Sequence, residues 1–131
     1  MTASYATGSL LLDSNIVVFL DHKSKRLSST VLYRIQTSPQ VYLSAVTAWE
    51  LSIKQSIGKL KLARQVSEFI SGENMTELSV TVQHGEAVRA LPLHHRDPFD
   101  RLLVAQAMVE GLVLVTADRL LAQYGIPILL V

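Results

Sequence analysis

The sequence predicts an α/β fold with three layers, in which helices cover both faces of a central, mainly parallel five-stranded sheet. Three observations carry this. Five short aliphatic runs recur along the chain, each of a length that suits a buried strand. Between them lie segments whose apolar residues fall at helical spacing, the alternation that parallel strands with crossover helices produce. The 131 residues suffice for one domain that buries a substantial core. Apolar residues make up 49% and aromatics 6%, so that core is aliphatic.

Taken in order, Leu10-Leu11-Leu12 is a buried strand running into Asp13, and a first helix begins over 16–20. Residues 28–37 form a second helix, with Val31, Leu32 and Ile35 on one face. Val41-Tyr42-Leu43 is the second strand, and Ser44 suits the N-cap of the next helix. That helix, over 45–57, places Val46, Trp49 and Ile53 on one stripe and ends at Gly58. Trp49 and the methionines are read as core. Residues 66–70 look helical, 78–80 extended, and 82–91 helical up to Pro92. Pro98 fits the first turn of a long helix, where its missing N–H is not needed, and Gly111 closes it. A β-branched run over 112–115 is read as the central strand, followed by a short helix from Asp118 towards Gly125 and a last strand over 128–130.

One domain over 10–131 follows, since no linker, repeat or low-complexity stretch interrupts it. Residues 1–9 are small and polar, lack the Lys/Arg region of a signal peptide and are expected to be a flexible N-terminal segment. No apolar run reaches the roughly 18 residues that span a bilayer. A cytoplasmic protein without a membrane partner is expected. With a net charge of +1, any contact with nucleic acid needs local basic residues in place of a global field. The absence of cysteine excludes disulfides, thiolate catalysis and zinc–thiolate sites.

The placement of the eleven acidic residues is more informative than their number. Asp13 follows the first strand and Asp118 the fourth, and open parallel sheets bind ligands at the carboxyl ends of their strands. Glu50 lies inside the helix after the second strand, beside Trp49. Asp97 and Asp100 flank the helix start at Pro98. Carboxylates gathered at one rim repel each other unless cations compensate. Hard divalent ions such as Mg²⁺ take such oxygen ligands, and they support displacement at phosphorus. Each acid also has a plainer reading. Asp13, Asp97 and Asp118 suit helix caps, and Asp100 suits a surface pair with Arg96 or Arg101. Glu50, mid-helix and without an obvious partner, is the hardest to explain away.

These residues sit in motifs that resemble those of PIN-domain ribonucleases, in particular VapC-like toxins of type II toxin–antitoxin systems. The opening motif is Leu11-Leu12-Asp13-Ser14-Asn15, and the second is Ser44-Ala45-Val46-Thr47-Ala48-Trp49-Glu50-Leu51. The most specific is His94-His95-Arg96-Asp97-Pro98-Phe99-Asp100-Arg101-Leu102-Leu103, and Val115-Thr116-Ala117-Asp118 is the fourth. The resemblance implies a metal-dependent endoribonuclease that cuts single-stranded regions of tRNA or messenger RNA. It implies Asp13, Glu50, Asp100 and Asp118 as the catalytic set, with Asp13 and Asp100 the direct ligands of Mg²⁺, for which Mn²⁺ can substitute. Glu50 and Asp118 would hold a second ion or orient the water. Asp97, Ser14 and Asn15 are accessory, Asn15 standing where such proteins often have His. Arg96 and Arg101 are candidates for RNA phosphate, while His94 and His95 are read as solvated or capping residues. The implied partners are a VapB-like antitoxin, RNA and a second copy of the chain.

Two other readings compete. A haloacid-dehalogenase-like phosphatase also carries an Asp after its first strand, but that chemistry wants a second Asp where this chain has Asn15. A catalytically inactive PIN-fold binding module is the other, and all four acidic positions being filled argues against it. A nucleotide-binding Rossmann fold fails because no Gly-rich loop follows the first strand.

Overall fold

A computed structural model describes residues 8–131. The order is β1 (Leu10–Leu12), α1 (Ser14–Asp21), α2 (Ser29–Thr37), β2 (Val41–Ser44), α3 (Ala45–Ser56), α4 (Val66–Gly72), β3 (Thr76–Leu78), α5 (Val82–Ala87), α6 (Pro98–Glu110), β4 (Val113–Thr116) and β5 (Ile128–Leu130). Short 3-10 turns span Val88–Ala90 and Arg119–Tyr124. The strands lie in the order β3-β2-β1-β4-β5 and every pairing is parallel. All carboxyl ends therefore share one edge of the sheet. Most of the expected flexible segment 1–9 lies outside the described residues. Within them, the Ser9 carbonyl already accepts from the Val113 N–H at 3.0 Å. No helix among the described residues is long and apolar enough to cross a membrane.

The three layers follow from period-two alternation along the inner strands. Leu10 and Leu12 point into one core with Leu43, Val113 and Val115, under Ile16, Val17, Ile35 and Phe69 of α1, α2 and α4. Leu11 and Leu114 point the other way, against Leu103, Val104 and Ala107 of α6. The three leucines of β1 are fully buried, as befits a strand covered on both faces. Here the sequence expectation needs correction, because β1 and not the 112–115 strand is central. Position across the sheet is set by the crossovers, and β-branched composition does not reveal it.

Two further expectations change. The third strand runs Thr76–Leu78, earlier than 78–80, and pairs Thr76 with Tyr42 and Leu78 with Ser44. It is an edge strand with exposed Thr76 and Glu77, so its pattern carried little hydrophobic information. The α3 stripe is also different. Val46 is buried, but Trp49 is 61% and Ile53 39% exposed, and Met108 on α6 likewise faces solvent. The helix instead buries Val46, Thr47, Glu50 and Leu51. An acidic residue belongs to its inner face because that face looks partly onto other polar groups.

A buried polar strap joins α6 to the sheet. Ser44 Oγ donates to Gln106 Oε1 at 2.6 Å, and Gln106 Nε2 donates to the Ser79 carbonyl at 3.2 Å and towards His84 Nδ1 at 3.3 Å. His84 is fully buried, and its Nδ1 also accepts from the Thr81 N–H, so its Nε2–H faces Glu110 at 2.7 Å. At its ends, α6 is delimited by Asp97 as N-cap, Pro98 in the first turn and Gly111 as a left-handed cap at φ 67°.

The layering makes a direct prediction. Leu11→Ala, which empties the β1–α6 contact while leaving the opposite core intact, should destabilise the protein by about 2–5 kcal/mol. Urea denaturation measures this, and a loss below about 1 kcal/mol would contradict the burial assigned to β1.

Candidate active site

The carboxyl edge of the sheet is where the chain turns from strand to helix, and the turns after β1 and β4 present Asp13 and Asp118. Asp13 extends the β1 ladder by one bond, its N–H donating to the Val115 carbonyl at 2.9 Å. Its side chain caps α1, accepting from the Ser14 N–H at 2.7 Å, and accepts the Thr116 hydroxyl at 2.7 Å from the end of β4. Thr116 Oγ1 in turn accepts from the Asp118 N–H at 3.0 Å. Asp118 caps the Arg119–Tyr124 turn through the Leu120 N–H at 2.9 Å. One hydroxyl thus registers two of the four acids.

Glu50 reaches this place from α3. Ser14 Oγ donates to its Oε1 at 2.5 Å, and Lys54, one turn on, pairs with Oε2 at 3.2 Å. One turn before it, Thr47 is fully buried, and its hydroxyl finds no hydrogen-bond partner among the described residues. Asp100 stands in the first turn of α6. Asp97 before it accepts from the Phe99 N–H at 2.9 Å, so the plainer reading of Asp97 as a cap describes what it does in this structure.

His95 belongs to the cluster as well. Its Nδ1 accepts from the Asp97 N–H at 3.0 Å, which places the ring proton on Nε2. That Nε2 lies 2.9 Å from Asp118 Oδ2 and 3.3 Å from Asp100 Oδ2. The sequence reading as a solvated or capping histidine missed this. A His next to the Asp97-Pro98 motif was the available signal, but the neighbouring His94 offered the same one. His94 instead stacks edge-on against Tyr124 at 5.0 Å between ring centroids. Thr116 was passed over too, although it ends the strand that leads to Asp118.

The remaining candidates divide. Asn15 and Arg96 are exposed near the cluster's residues in sequence, whereas Ser14 is buried and bonded to Glu50. Arg101, expected at RNA phosphate, is engaged within the chain. Its guanidinium donates to the carbonyls of Pro92 at 2.9 Å, Val88 at 3.3 Å and Leu91 at 3.4 Å, and to the Tyr124 hydroxyl at 3.3 Å. Tyr124 also receives the His95 N–H at 2.9 Å. Arg101 is a brace for the loop that carries His95, because a guanidinium fork satisfies several carbonyls at once.

Electrostatics follow from the crowding. Burial raises the Asp13 carboxyl above its ordinary value, with the charges of Glu50 and Asp118 adding to it, against the opposing hydrogen bonds from Thr116 and Ser14. Asp100 is pushed up to about 7, first by burial and then by Asp13, Asp97 and Glu50, with His95 pulling the other way. Such a set suits a divalent cation. Ligand atoms of His95, Asp100 and Asp118 lie within 4.8 Å of one another, carboxylate oxygens are the donors hard ions prefer, and a metal relieves the repulsion that raises Asp100.

The sign of the pH dependence is fixed by that shift. Unfolded Asp100 loses its proton near 3.8 and the folded one near 7, so its contribution to stability is complete below about pH 4 and is lost as pH rises through about 7. Metal-free protein should therefore lose thermal stability between about pH 5 and about pH 8, and Asp100→Asn should lose less. Added Mg²⁺ should restore the parent protein more than the variant. Parallel Tm–pH curves for the two chelated proteins would contradict the assignment.

Comparison with known proteins agrees with this geometry. Residues 10–127 match the family model described as PIN domain. Ribonuclease VapC22 of Mycobacterium tuberculosis is 28% identical over 121 residues, covering 90% of this chain and 93% of that protein. Among solved structures, VapBC2 from Rickettsia felis bound to a DNA fragment from their promoter superposes with a TM-score of 0.74 at 17% identity, covering 93% of this chain and 98% of that one. DNA-bound VapBC from Salmonella typhimurium does so at 0.65 and 18% identity, covering 92% and 96%. Those two likenesses speak for the fold, and the family model, spanning all four acidic segments, speaks for descent. The chain belongs to the PIN domain family.

Proposed function

We propose that this protein is a metal-dependent endoribonuclease that cuts single-stranded regions of tRNA or messenger RNA, and that it is the toxin of a VapBC-type toxin–antitoxin pair. One observation carries the chemistry: Asp13, Glu50, Asp100 and Asp118 arrive from four separate segments at one edge, each fixed by the fold, with His95 among them. The kinship with a VapC ribonuclease supports the substrate class. The phosphatase reading gives way to the family match, and the filled acidic positions speak against an inactive module.

Asp13 and Asp100 are assigned as ligands of Mg²⁺, with Mn²⁺ as a substitute, and Asp118 and His95 complete the donor set. When bound, the ion neutralises charge on the phosphate oxygens and supplies a water of lowered pKa. The chain's own groups do the positioning. Thr116 and the Ser14 N–H hold Asp13, while the Ser14 hydroxyl and Lys54 hold Glu50. So held, Glu50 and Asp118 orient the attacking water or take a second ion. Asn15 and Arg96, both exposed, are left for phosphate, since Arg101 is committed to backbone carbonyls.

The proposed partners are a VapB-like antitoxin and a second copy of the chain. The carboxylate rim matches an inserted Arg, whose planar fork pairs with carboxylates in two places at once. Exposed Val82 and Met108, on the packed helices α5 and α6, offer apolar area for self-association.

Two outcomes are expected. Asp13→Asn and Asp100→Asn should each reduce cleavage of single-stranded RNA in Mg²⁺ by at least about a hundredfold, with far-UV circular dichroism unchanged. Cleavage at the parent rate by either variant would overturn the metal assignment. The product of the adjacent gene should co-purify and inhibit, and if an Arg blocks the rim, inhibition should weaken as Mg²⁺ rises. Failure to form any complex would leave a nuclease without the toxin role.

A further inference from the structure

The chain's single tryptophan stands in water beside the acidic cluster. Trp49 is 61% exposed, although a ring of that size is ordinarily one of the most buried side chains. Its indole meets the Phe99 ring edge-on, with centroids 4.9 Å apart and the planes at 67°. Trp49 immediately precedes Glu50 on α3, and Phe99 immediately precedes Asp100 on α6. The aromatic pair therefore bridges the two helices that deliver Glu50 and Asp100, and Asp100 feels the charge of Glu50. Phe99 is half-buried and fixes the indole from one side, and a T-shaped contact leaves indole surface for another planar ring.

We propose that Trp49, braced by Phe99, is a stacking platform for an unpaired base of the RNA strand whose neighbouring phosphate lies at the acidic cluster. This rests on the nuclease reading and extends it to how the substrate is held. A single strand exposes its base faces, and aromatic side chains take them with little regard to sequence. A paired strand keeps those faces inside the duplex, so the platform selects for unpaired RNA. The exposed stripe continues with Ile53 on α3 and Ile57 at its C-cap, one and two turns away, but those positions are aliphatic. Only the end that adjoins the carboxylates carries the ring. A protein covering the whole stripe would engage Ile57 as fully as Trp49, whereas a base beside the scissile phosphate engages Trp49 alone.

Trp49 reports on itself, because it is the only indole in the chain. The probes are short homopolymeric single-stranded RNA and an abasic strand of equal length, added with Ca²⁺ in place of Mg²⁺. RNA should quench the Trp49 emission and the abasic strand should not. Trp49→Ala should weaken RNA binding by about five- to 150-fold, the range of one base–aromatic stack, without changing affinity for the abasic strand. In Mg²⁺ this should emerge as a raised KM with kcat largely kept. Trp49→Phe should retain most of the affinity, and Ile57→Ser all of it. RNA that binds without altering the emission, or an alanine variant that binds both strands as the parent does, would overturn the platform. So would Trp49 emission that depends on protein concentration together with dissociation of a dimer by both Trp49→Ala and Ile57→Ser, which assigns the stripe to a protein contact. If the parent protein cleaves no RNA in Mg²⁺, the nuclease reading fails by itself, and base-dependent quenching still decides the platform.

Discussion

A carboxylate at the end of a fully buried strand is tolerable only if its oxygens are satisfied, and the bond from Thr116 to Asp13 at 2.7 Å meets that demand. Asp13 directly follows β1, the strand buried on both faces, and is itself buried. Thr116 ends the neighbouring strand in parallel register, with Leu12 beside Val115, so its hydroxyl arrives where the acid needs a donor. The same oxygen fixes the backbone of Asp118. A slip of the β1–β4 pairing by one residue would turn every side chain to the opposite face and leave both acids without these donors.

The other acids follow the same logic at lower cost. Ser14 Oγ holds Glu50, the Asp97 N–H orients the His95 ring, and His95 offers its Nε2–H to Asp118. Fold-derived hydrogen bonds thus assemble like charges, and burial first, with their repulsion added, raises the carboxyl of Asp100. Capping a helix and facing the acidic cluster are not competing roles here. Asp13, Asp97 and Asp118 each cap the start of a helical segment, and the cap bond is what aims the side chain.

That double use explains which parts were legible in the sequence. The Leu-Leu-Leu-Asp and Val-Thr-Ala-Asp junctions announced strand ends carrying acids, and the Asp-Pro start and Gly stop of α6 announced a helix. What periodicity could not supply was the identity of a face. On α3 the apolar spacing of Trp49 and Ile53 pointed inward, yet Thr47, Glu50 and Leu51 occupy the interior, Leu51 in the aliphatic core and Glu50 at the Ser14 hydroxyl. The polar edge strand 76–78 was displaced for a similar reason. Arg101 and His95 lay beyond reach because their partners, Tyr124 and Asp118, stand more than twenty residues away in sequence, and a side chain's direction in a loop depends on such contacts.

The sequence distance closed by the Asp13–Thr116 bond is 103 residues. Loops that long form late, after local helices and short-range pairings, since their closure entropy is met before any contact rewards it. The centre of the sheet and the acidic cluster therefore depend on the same long-range closure. A chain still emerging from the ribosome, with β4 not yet delivered, holds Asp13 without its threonine and without Asp118. Without β4 the proposed catalytic centre is therefore incomplete, since both Asp13 and Asp118 are held through Thr116.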